Sequence, residues 1–326
     1  MEKMRNIKIT DSMEDVVNYL SYLKVANWNF PTLYTLDYFK WKIIKNPFLG
    51  SLCYLRYVND VPASHVSITS KPINDELGIS AHCGELGDTH THPAYQKQGH
   101  FGVIGTAAIA DFQKQFPGAF VFGIPNENAV HGWQSRCNCE LLNSLNIEEY
   151  SMNVLLKRKI SQSLTKYNVN NEKVKDLIDH IWQKTYKRKC SLYKKDYKWI
   201  EWRYKNSSEK YNIYFSRGAS KSVEAYIIAK ITKKYFFTHF QICDIVGLDH
   251  DAEIIIFDNF IKQYVSSFSK ITIWSSKETG LNAYLVSKRF NVNRKINFVC
   301  NKNEAYEQYL LLKEKLIISL GDTDNV

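Results

Sequence analysis

A strand, a glycine-containing loop and a helix follow one another in one segment of this sequence. Residues 85–92 alternate with a period of two until Pro93, and residues 101–116 have the spacing of a helix rich in small side chains. The loop between them contains Gly99, which lets another group approach the backbone closely. The first N–H groups of a helix have no intrahelical partner and carry partial positive charge, so the segment predicts a diphosphate-binding site.

Strands and helices alternate on both sides of this segment. Two strand-like runs, 52–57 and 63–68, precede it, and a short buried strand over 119–124 follows it. A further helix begins at Pro125-Asn126. This alternation predicts an α/β fold in which helices flank a mixed sheet.

The loop resembles a known cofactor motif. Gln96-Lys97-Gln98-Gly99-His100-Phe101 matches the first and fourth positions of Arg/Gln-x-x-Gly-x-Gly/Ala, the pattern of the GNAT superfamily of acyl-CoA N-acyltransferases. It departs from the pattern at the sixth position, where Phe101 stands and Gly102 follows. The strand over 120–124 and the Pro-Asn-x-x-Ala helix start after it also resemble the family. The resemblance covers roughly residues 35–155 and implies the GNAT fold there.

The resemblance implies acetyl-CoA as acyl donor, with the acyl chain length left open. In the family, the pantetheine arm bonds to the end of the motif strand, and loop amides hold the pyrophosphate. The cofactor-binding residues implied for this chain are Thr89, His90, Thr91, Gln96, Lys97, Gln98, Gly99, His100, Phe101, Gly102 and Asn126.

Direct attack of a free amine on the thioester needs a base, and the sequence offers three candidates. Many members of the family have a Glu on the motif strand at the position of Glu85, fourteen residues before Gly99. An ordinary edge salt bridge is an equally good interpretation of Glu85. His90 and His92 face the other side of a regular strand unless a bulge brings one back. Where the family often has a Tyr to protonate the leaving thiolate, this chain has Trp133, so the general acid is left open.

Composition excludes several classes of protein. Apolar runs stay far below the ~18 residues of a membrane span, and the N-terminus lacks the apolar stretch of a signal peptide. Seven scattered cysteines do not describe a disulfide framework, so a cytoplasmic location is expected. The Cys and His spacings match no zinc pattern, and no metal site is expected. A net charge of +10 favours anionic partners, including phosphorylated small molecules.

The second half of the sequence repeats features of the first. Trp41-Lys42 is echoed by Trp202-Arg203, and each pair precedes two hairpin-like strands. The Asp at 88 near a strand end has a counterpart at 244. A diverged duplication explains these similarities, although chance similarity in a Lys- and Asn-rich chain is an alternative.

The second copy lacks the glycine motif and has Asp249, Asp251 and Glu253 there, whose charges would repel a diphosphate. The sequence therefore predicts tandem GNAT-like domains, the second degenerate, and one CoA per chain. The expected segments are a catalytic acyl-CoA-binding domain at 1–156, a basic helical connector at 157–198 and a degenerate GNAT-like domain on the acceptor side at 199–326.

The expected function is transfer of an acetyl group from acetyl-CoA to a small-molecule primary amine. Tandem chains of this size resemble GNAT proteins of bacterial surface-polysaccharide loci, which favours an amino sugar, possibly nucleotide-linked, as acceptor. A basic rim of Lys194, Lys195 and Arg203 would hold its diphosphate.

Two alternative functions stay open. A Fem-type aminoacyl transferase would bind tRNA phosphates with the basic connector. That family does not need the diphosphate loop, so nucleic acid is the less favoured partner. A non-catalytic sensor would bind acyl-CoA or a partner protein without turnover.

Overall fold

The computed structural model describes residues 4–8, 14, 36–73, 82–154, 164–169, 171–186, 193–207, 209–218, 222–265, 268–276, 279–303 and 318–323. The chain divides into two compact units. Unit 1 consists of Met1–Asn143 and Asn297–Leu311, and unit 2 of Ser144–Ile296 and Leu312–Val326. Within the described ranges, no helix combines the length and the apolar character needed to cross a bilayer.

The described part of unit 1 contains a seven-stranded mixed sheet and the helices α1 to α3. Its strands are β1 (Met4–Lys8), β2 (Leu52–Val58), β3 (Val61–Pro72), β4 (His82–Thr91), β5 (Phe120–Gly123), β6 (Cys139–Leu141) and β14 (Val299–Asn301). Its helices are α1 (Leu36–Phe39), which continues into a π-helical turn (Lys40–Ile44), α2 (His100–Gln115) and α3 (Glu127–Arg136). The strand order is β1-β2-β3-β4-β5-β14-β6, and β4 and β5 are parallel neighbours.

Unit 2 contains a second seven-stranded sheet. Its strands are β7 (Ile147–Val154), β8 (Thr165–Asn168), β9 (Tyr211–Arg217), β10 (Val223–Lys234), β11 (Phe237–Gly247), β12 (Ser269–Ser276) and β13 (Asn291–Lys295). Its helices are α4 (Lys173–Thr185), α5 (Tyr197–Ile200) with a π-helical turn (Glu201–Lys205), α6 (His250–Tyr264) and α7 (Gly280–Ser287). The strand order is β8-β9-β10-β11-β12-β7-β13, and β11 and β12 are parallel neighbours.

The two sheets have the same topology, as a duplication requires. Each places its parallel pair at the fourth and fifth positions, and each unit has a short helix that continues into a π-helical turn. The turns contain Trp41 and Trp202, the residues whose repetition was visible in the sequence. Each sheet takes its sixth strand from the other half of the sequence, β14 in unit 1 and β7 in unit 2.

This division differs from the boundaries expected at 156 and 198. β7 lies before residue 156, yet it pairs with β12 and β13 of unit 2. Within the expected connector, β8 pairs with β9, and α4 buries Val174, Ile178 and Ile181 at helical spacing. The segment is therefore a structural part of unit 2, because its apolar face is needed in the core.

The core of unit 1 holds α2 against the sheet. Ile104, Ala108 and Phe112 of α2 are buried in one apolar cluster with strand residues of β3, β4 and β5. Burying a large apolar side chain contributes roughly 1.5–3 kcal/mol to the stability of the folded state. This packing therefore holds α2 in a fixed position on the sheet. Gly105 permits α3 to approach closely, since a Cβ there would lie 2.8 Å from Cys137 Sγ.

Candidate active site

The two parallel strands of unit 1 separate at one end. β4 and β5 pair from Cys83 opposite Phe120 to Leu86 opposite Gly123, where β5 ends. β4 continues to Thr91 and, among the described strands, pairs there only with β3. The edge of β4 beyond Leu86 therefore faces a gap, and its peptide groups on that side can bind a ligand.

A β-bulge lies at the start of this gap. Asp88 and Thr89 together stand opposite one residue of β3, between the pairs formed by Gly87 and His90. Asp88 has a positive φ of 46°, and its carboxylate accepts hydrogen bonds from Lys42 Nζ at 2.7 Å and Ser67 Oγ at 3.1 Å. The extra residue reverses the alternation of side chains, so the residues after the bulge change faces.

The bulge brings His90 to the face of the strand that carries Glu85. His90 pairs with His65 of β3 and their rings stack with centroids 5.0 Å apart. Burial lowers the pKa of His90 to about 4 and that of His65 well below its ordinary value, so both rings are neutral near pH 7. In a regular strand His90 would lie on the face opposite Glu85, and the bulge is the irregularity that brings it to the same face.

Glu85 is 3% exposed and forms an ion pair with the buried Lys71 of β3. It stands opposite Phe122, in the part of β4 that is still paired with β5, and so precedes the gap. A carboxylate that is enclosed and paired in this way has the environment of a structural ion pair.

His92 follows the end of β4 and begins the short 3-10 turn Pro93–Tyr95. Its Nδ1 accepts a hydrogen bond from the backbone N–H of Ala94 at 3.2 Å. Nδ1 is thus engaged within the turn, and Nε2 is the ring nitrogen left to contact a ligand. Among the described residues, no three His, Cys, Asp or Glu side chains are grouped so that they could hold a metal ion.

The loop before α2 leaves the start of the helix open. Gly99 is the N-cap residue with a φ of 82°, and no side chain caps the helix. The backbone bond from Val103 N to Gly99 O, at 3.3 Å, closes the first turn, and the N–H groups of His100, Phe101 and Gly102 precede it. A Cβ built on Gly99 meets no atom of the described residues within 4 Å, so the position beside the helix start is open in this part of the structure.

Side-chain hydrogen bonds position this loop. Arg56 Nε donates to His100 Nδ1 at 3.0 Å, so the ring carries its proton on Nε2, which lies 3.2 Å from Gln98 Oε1. Gln98 Nε2 donates to Ala94 O at 3.1 Å, and Gln96 Nε2 donates to Thr91 O at 3.2 Å. His100 and Gln98 therefore shape the loop with their side chains, and Lys97 adopts a positive φ of 62° within it.

The departure from the motif at its sixth position has a packing explanation. The Phe101 ring packs edge-on against Trp133 of α3, with centroids 4.7 Å apart. A Cβ on Gly132 would lie 2.7 Å from that ring, and a Cβ on Gly102 would lie 2.8 Å from Arg136 Cβ. The Phe101 side chain and the missing side chain of Gly102 thus allow α2 and α3 to pack closely. Toward a ligand these two residues can present only their backbone N–H groups.

Asn126 follows β5 and is the N-cap of α3. Its Oδ1 accepts a hydrogen bond from Ala129 N at 3.0 Å, and the residue is exposed. Only its amide N–H groups remain to donate to a ligand beside the gap.

The corresponding helix start in unit 2 is closed. Asp249 is the N-cap of α6, and its carboxylate accepts from Ala252 N at 2.8 Å. Glu253 Oε1 accepts from Gly247 N at 3.3 Å. A carboxylate therefore caps the first turn of α6, at Ala252 N, whereas no side chain caps α2.

The expectation of a basic rim is wrong for Lys195 and Arg203, two of its three residues. Lys195 is buried and paired with Asp244 and Asp322. Arg203 is buried and donates to the carbonyl oxygens of Gly321 and Thr323. Buried cations whose charge or donors are committed in this way cannot bind the diphosphate of an acceptor.

Comparisons with solved structures identify this arrangement. A tandem GNAT protein from the clavulanic acid biosynthesis pathway superposes with a TM-score of 0.60 at 8% identity, over 91% of this chain and 98% of its own. The chain has a tandem GNAT fold. A probable N-acyltransferase from Enterococcus faecalis gives a TM-score of 0.65 at 14% identity, covering 92% of this chain and 72% of that one. N-myristoyltransferase of Saccharomyces cerevisiae with bound myristoyl-CoA gives a TM-score of 0.57 at 9% identity. The match covers 91% of this chain and 82% of that one. The sequence matches no protein-family model and no curated protein.

The tandem GNAT fold brings together most of the residues singled out in the sequence. Thr89, His90 and Thr91 lie along the free edge of β4, and the loop leads from there into α2. Sequence reasoning missed Lys71 and Arg56, which pair with site residues from neighbouring strands. Nothing in their local sequence marks them, because their partners, Glu85 on β4 and His100 at the start of α2, lie far from them in the sequence.

Proposed function

We propose that this protein is an acyl-CoA-dependent N-acyltransferase whose donor site lies in unit 1. The observation that carries the proposal is the uncapped start of α2 at Gly99, next to the gap between β4 and β5. An open helix start binds the phosphates of CoA through N–H groups, and a strand edge binds an extended pantetheine arm through peptide groups. Release of free thiol from acetyl-CoA in the presence of amines tests this function.

The chain would hold the donor mainly with backbone donors. The N–H groups of His100, Phe101 and Gly102 would contact the diphosphate, and Lys97 would add a positive charge at the exposed loop. The backbone of β4 from Thr89 to Thr91 would contact the pantetheine, and the Asn126 amide would donate from the other side of the gap. N–H groups on the same edge would stabilise the oxyanion that forms at the thioester carbonyl.

The reaction is a direct transfer. The amine nitrogen attacks the thioester carbonyl, the C–N bond forms, and the C–S bond breaks. The proton lost by the amine balances the proton gained by the thiol. The protein must align the two reactants and accept the amine's proton.

We assign the proton-accepting role to His90. Glu85 precedes the gap and is paired with Lys71, and the lone pair of His92 is engaged by Ala94 N. His90 lies beyond the bulge, at the gap, and is neutral near pH 7 because burial lowers its pKa to about 4. Its Nε2 is buried, so the proton would be accepted at Nδ1. A weak base suffices because the nitrogen becomes strongly acidic once it has attacked the carbonyl.

His90→Gln is expected to lower kcat by roughly 10²-fold or more while CoA affinity stays the same, because general-base catalysis typically contributes this much. Steady-state kinetics and CoA titration measure the two effects separately. His82→Gln is the matched control, since His82 lies at the far end of β4, stacked on Phe116. A larger loss of kcat in His92→Gln than in His90→Gln would contradict the assignment.

The ratio of kcat between the wild type and His90→Gln is expected to stay constant from about pH 8 to about pH 5.5, since the lowered pKa keeps His90 able to accept a proton throughout. A base with the ordinary pKa of ~6.5 would make the ratio fall about tenfold at the acid end. Comparing the two enzymes cancels the titration of the amine. Lower pH is avoided because buried neutral histidines make stability fall as the pH drops below their unfolded pKa of ~6.5.

For the acceptor we propose an amino sugar. The anionic donor and a phosphorylated acceptor both suit the net charge of +10. Of the expected basic rim only Lys194 is exposed, and it lies 3.7 Å from Asp196, which favours a free amino sugar over a nucleotide-linked one. Thiol release should be compared for a hexosamine, its nucleoside-diphosphate derivative and a simple alkylamine. CoA binding without turnover of any amine would instead favour a sensor.

A further inference from the structure

Unit 2 contains a cavity where its own parallel strands separate. β11 and β12 pair up to Ile242 opposite Ile273, and residues of both strands beyond this point line the cavity. Its volume is about 710 Å³, part of which is open to solvent. None of the residues assigned to the acyl donor lines it.

The charged groups at this cavity are predominantly acidic. Glu253 lines it and is 6% exposed, and Asp249 and Asp251 stand at the same helix start. Two basic side chains also line the cavity. Lys195 is balanced by the carboxylates of Asp244 and Asp322, and His250 Nδ1 lies 3.4 Å from Glu253 Oε2. A diphosphate would be repelled here, whereas a cation would be attracted.

The remaining walls are apolar, with one uncommitted hydroxyl. Trp182 and Trp274 line the cavity together with aliphatic side chains such as Ile273 and Ile318. Ser276 also lines the cavity and is only 5% exposed. Its Oγ has no hydrogen-bond partner among the described residues. A buried hydroxyl without a partner is costly, and a ligand that donates a hydrogen bond would satisfy it.

We propose that this cavity binds a small organic cation, a primary ammonium carried on an apolar or aromatic body, and does not accept CoA. The ammonium would donate to the Glu253 carboxylate and to Ser276 Oγ, and the body would lie against the two indole rings. This site is distinct from the donor site in unit 1 and does not depend on the proposed function.

Phenethylamine is a suitable probe, with 2-phenylethanol as neutral analogue and 3-phenylpropionate as anionic analogue. Binding is measured on the full chain without acyl donor, by calorimetry and by Trp fluorescence, which two lining residues should report. Phenethylamine is expected to bind at least about tenfold more tightly than 2-phenylethanol, a difference of ~1.4 kcal/mol, and 3-phenylpropionate more weakly still. The fluorescence change should diminish in Trp274→Phe.

Glu253→Gln keeps the acceptor oxygen for Gly247 N and removes the negative charge. It should weaken the binding of phenethylamine by about tenfold and leave the binding of 2-phenylethanol unchanged. Asp251→Asn is the matched control, because it removes a charge from the same helix start at an exposed position outside the lining. Leu281→Trp, which fills the cavity, should abolish binding of both compounds. Equal affinity for the three probes, no binding of phenethylamine, or displacement of phenethylamine by CoA would overturn the proposal.

Discussion

Gly99→Asp is expected to weaken CoA binding by well over tenfold, more than ~1.4 kcal/mol, and to leave the protein folded. Gly99 has a φ of 82°, and no atom of the described residues lies within 4 Å of the position of a Cβ. The new carboxylate would stand at the start of α2, where its negative charge would repel the phosphates of CoA. Asp249 likewise places a carboxylate at the start of α6, where it accepts a hydrogen bond from Ala252 N.

Gly118→Asp separates this effect from backbone strain. Gly118 lies in the turn between α2 and β5 and has a φ of 74°, and here too no described residue comes within 4 Å of a built Cβ. Both variants add one negative charge and place a non-glycine residue at a positive φ. The strained backbone costs of order 1–3 kcal/mol of stability in each variant. Calorimetric titration with CoA should show a loss only at Gly99. Unchanged affinity in Gly99→Asp, or an equal loss in Gly118→Asp, would remove the basis for a donor site at α2.

Lys71→Met is expected to lower the free energy of unfolding by about 3–5 kcal/mol, because it leaves the Glu85 carboxylate buried without its ammonium partner. Both side chains are almost fully enclosed between β3 and β4. The double variant Lys71→Met/Glu85→Leu should recover most of this loss, since two apolar side chains of similar volume replace the pair. Urea unfolding curves of the single and double variants measure the difference.

The same double variant decides what Glu85 does. If Glu85 is structural, the double variant retains kcat within about tenfold of the wild type, because His90 and the bulge are unchanged. If Glu85 is the base, the double variant is stable but loses roughly 10²-fold or more in kcat. Thiol release at saturating acetyl-CoA and amine distinguishes the two results.

The local elements of this protein could be predicted from sequence. The helix after Gly99, the short strand before Asn126 and the repeated order of elements around Trp41 and Trp202 all appear in the structure. Each depends on periodicity, capping or breaking residues within a few positions. The loop that the resemblance singled out also has the expected form, because an αL glycine followed by a helix is a local conformation.

The exchange of β7 and β14 between the two sheets could not be predicted in this way. A strand's alternation shows that one face is buried, but not which sheet it joins. The expected boundary at 156 therefore divided the sequence where the pattern changed from strands to a basic segment. The actual division follows hydrogen-bond pairing between residues more than a hundred positions apart.

The sequence by itself determined the α/β order of elements, the open helix start at Gly99 and the acidic helix start at Asp249, since each rests on neighbouring residues. Only the tertiary structure decided which titratable groups are committed to partners. Glu85 pairs with Lys71 because of the register of β3 and β4, and His90 reaches the same face because a bulge at Asp88 reverses the alternation. The charged segment around Lys195 predicts an exposed side chain. In the folded unit Lys195 is buried, because Asp244 and Asp322 lie beside it and balance its charge. Burial and pairing are properties of contacts distant in sequence, so charge patterns alone do not reveal them.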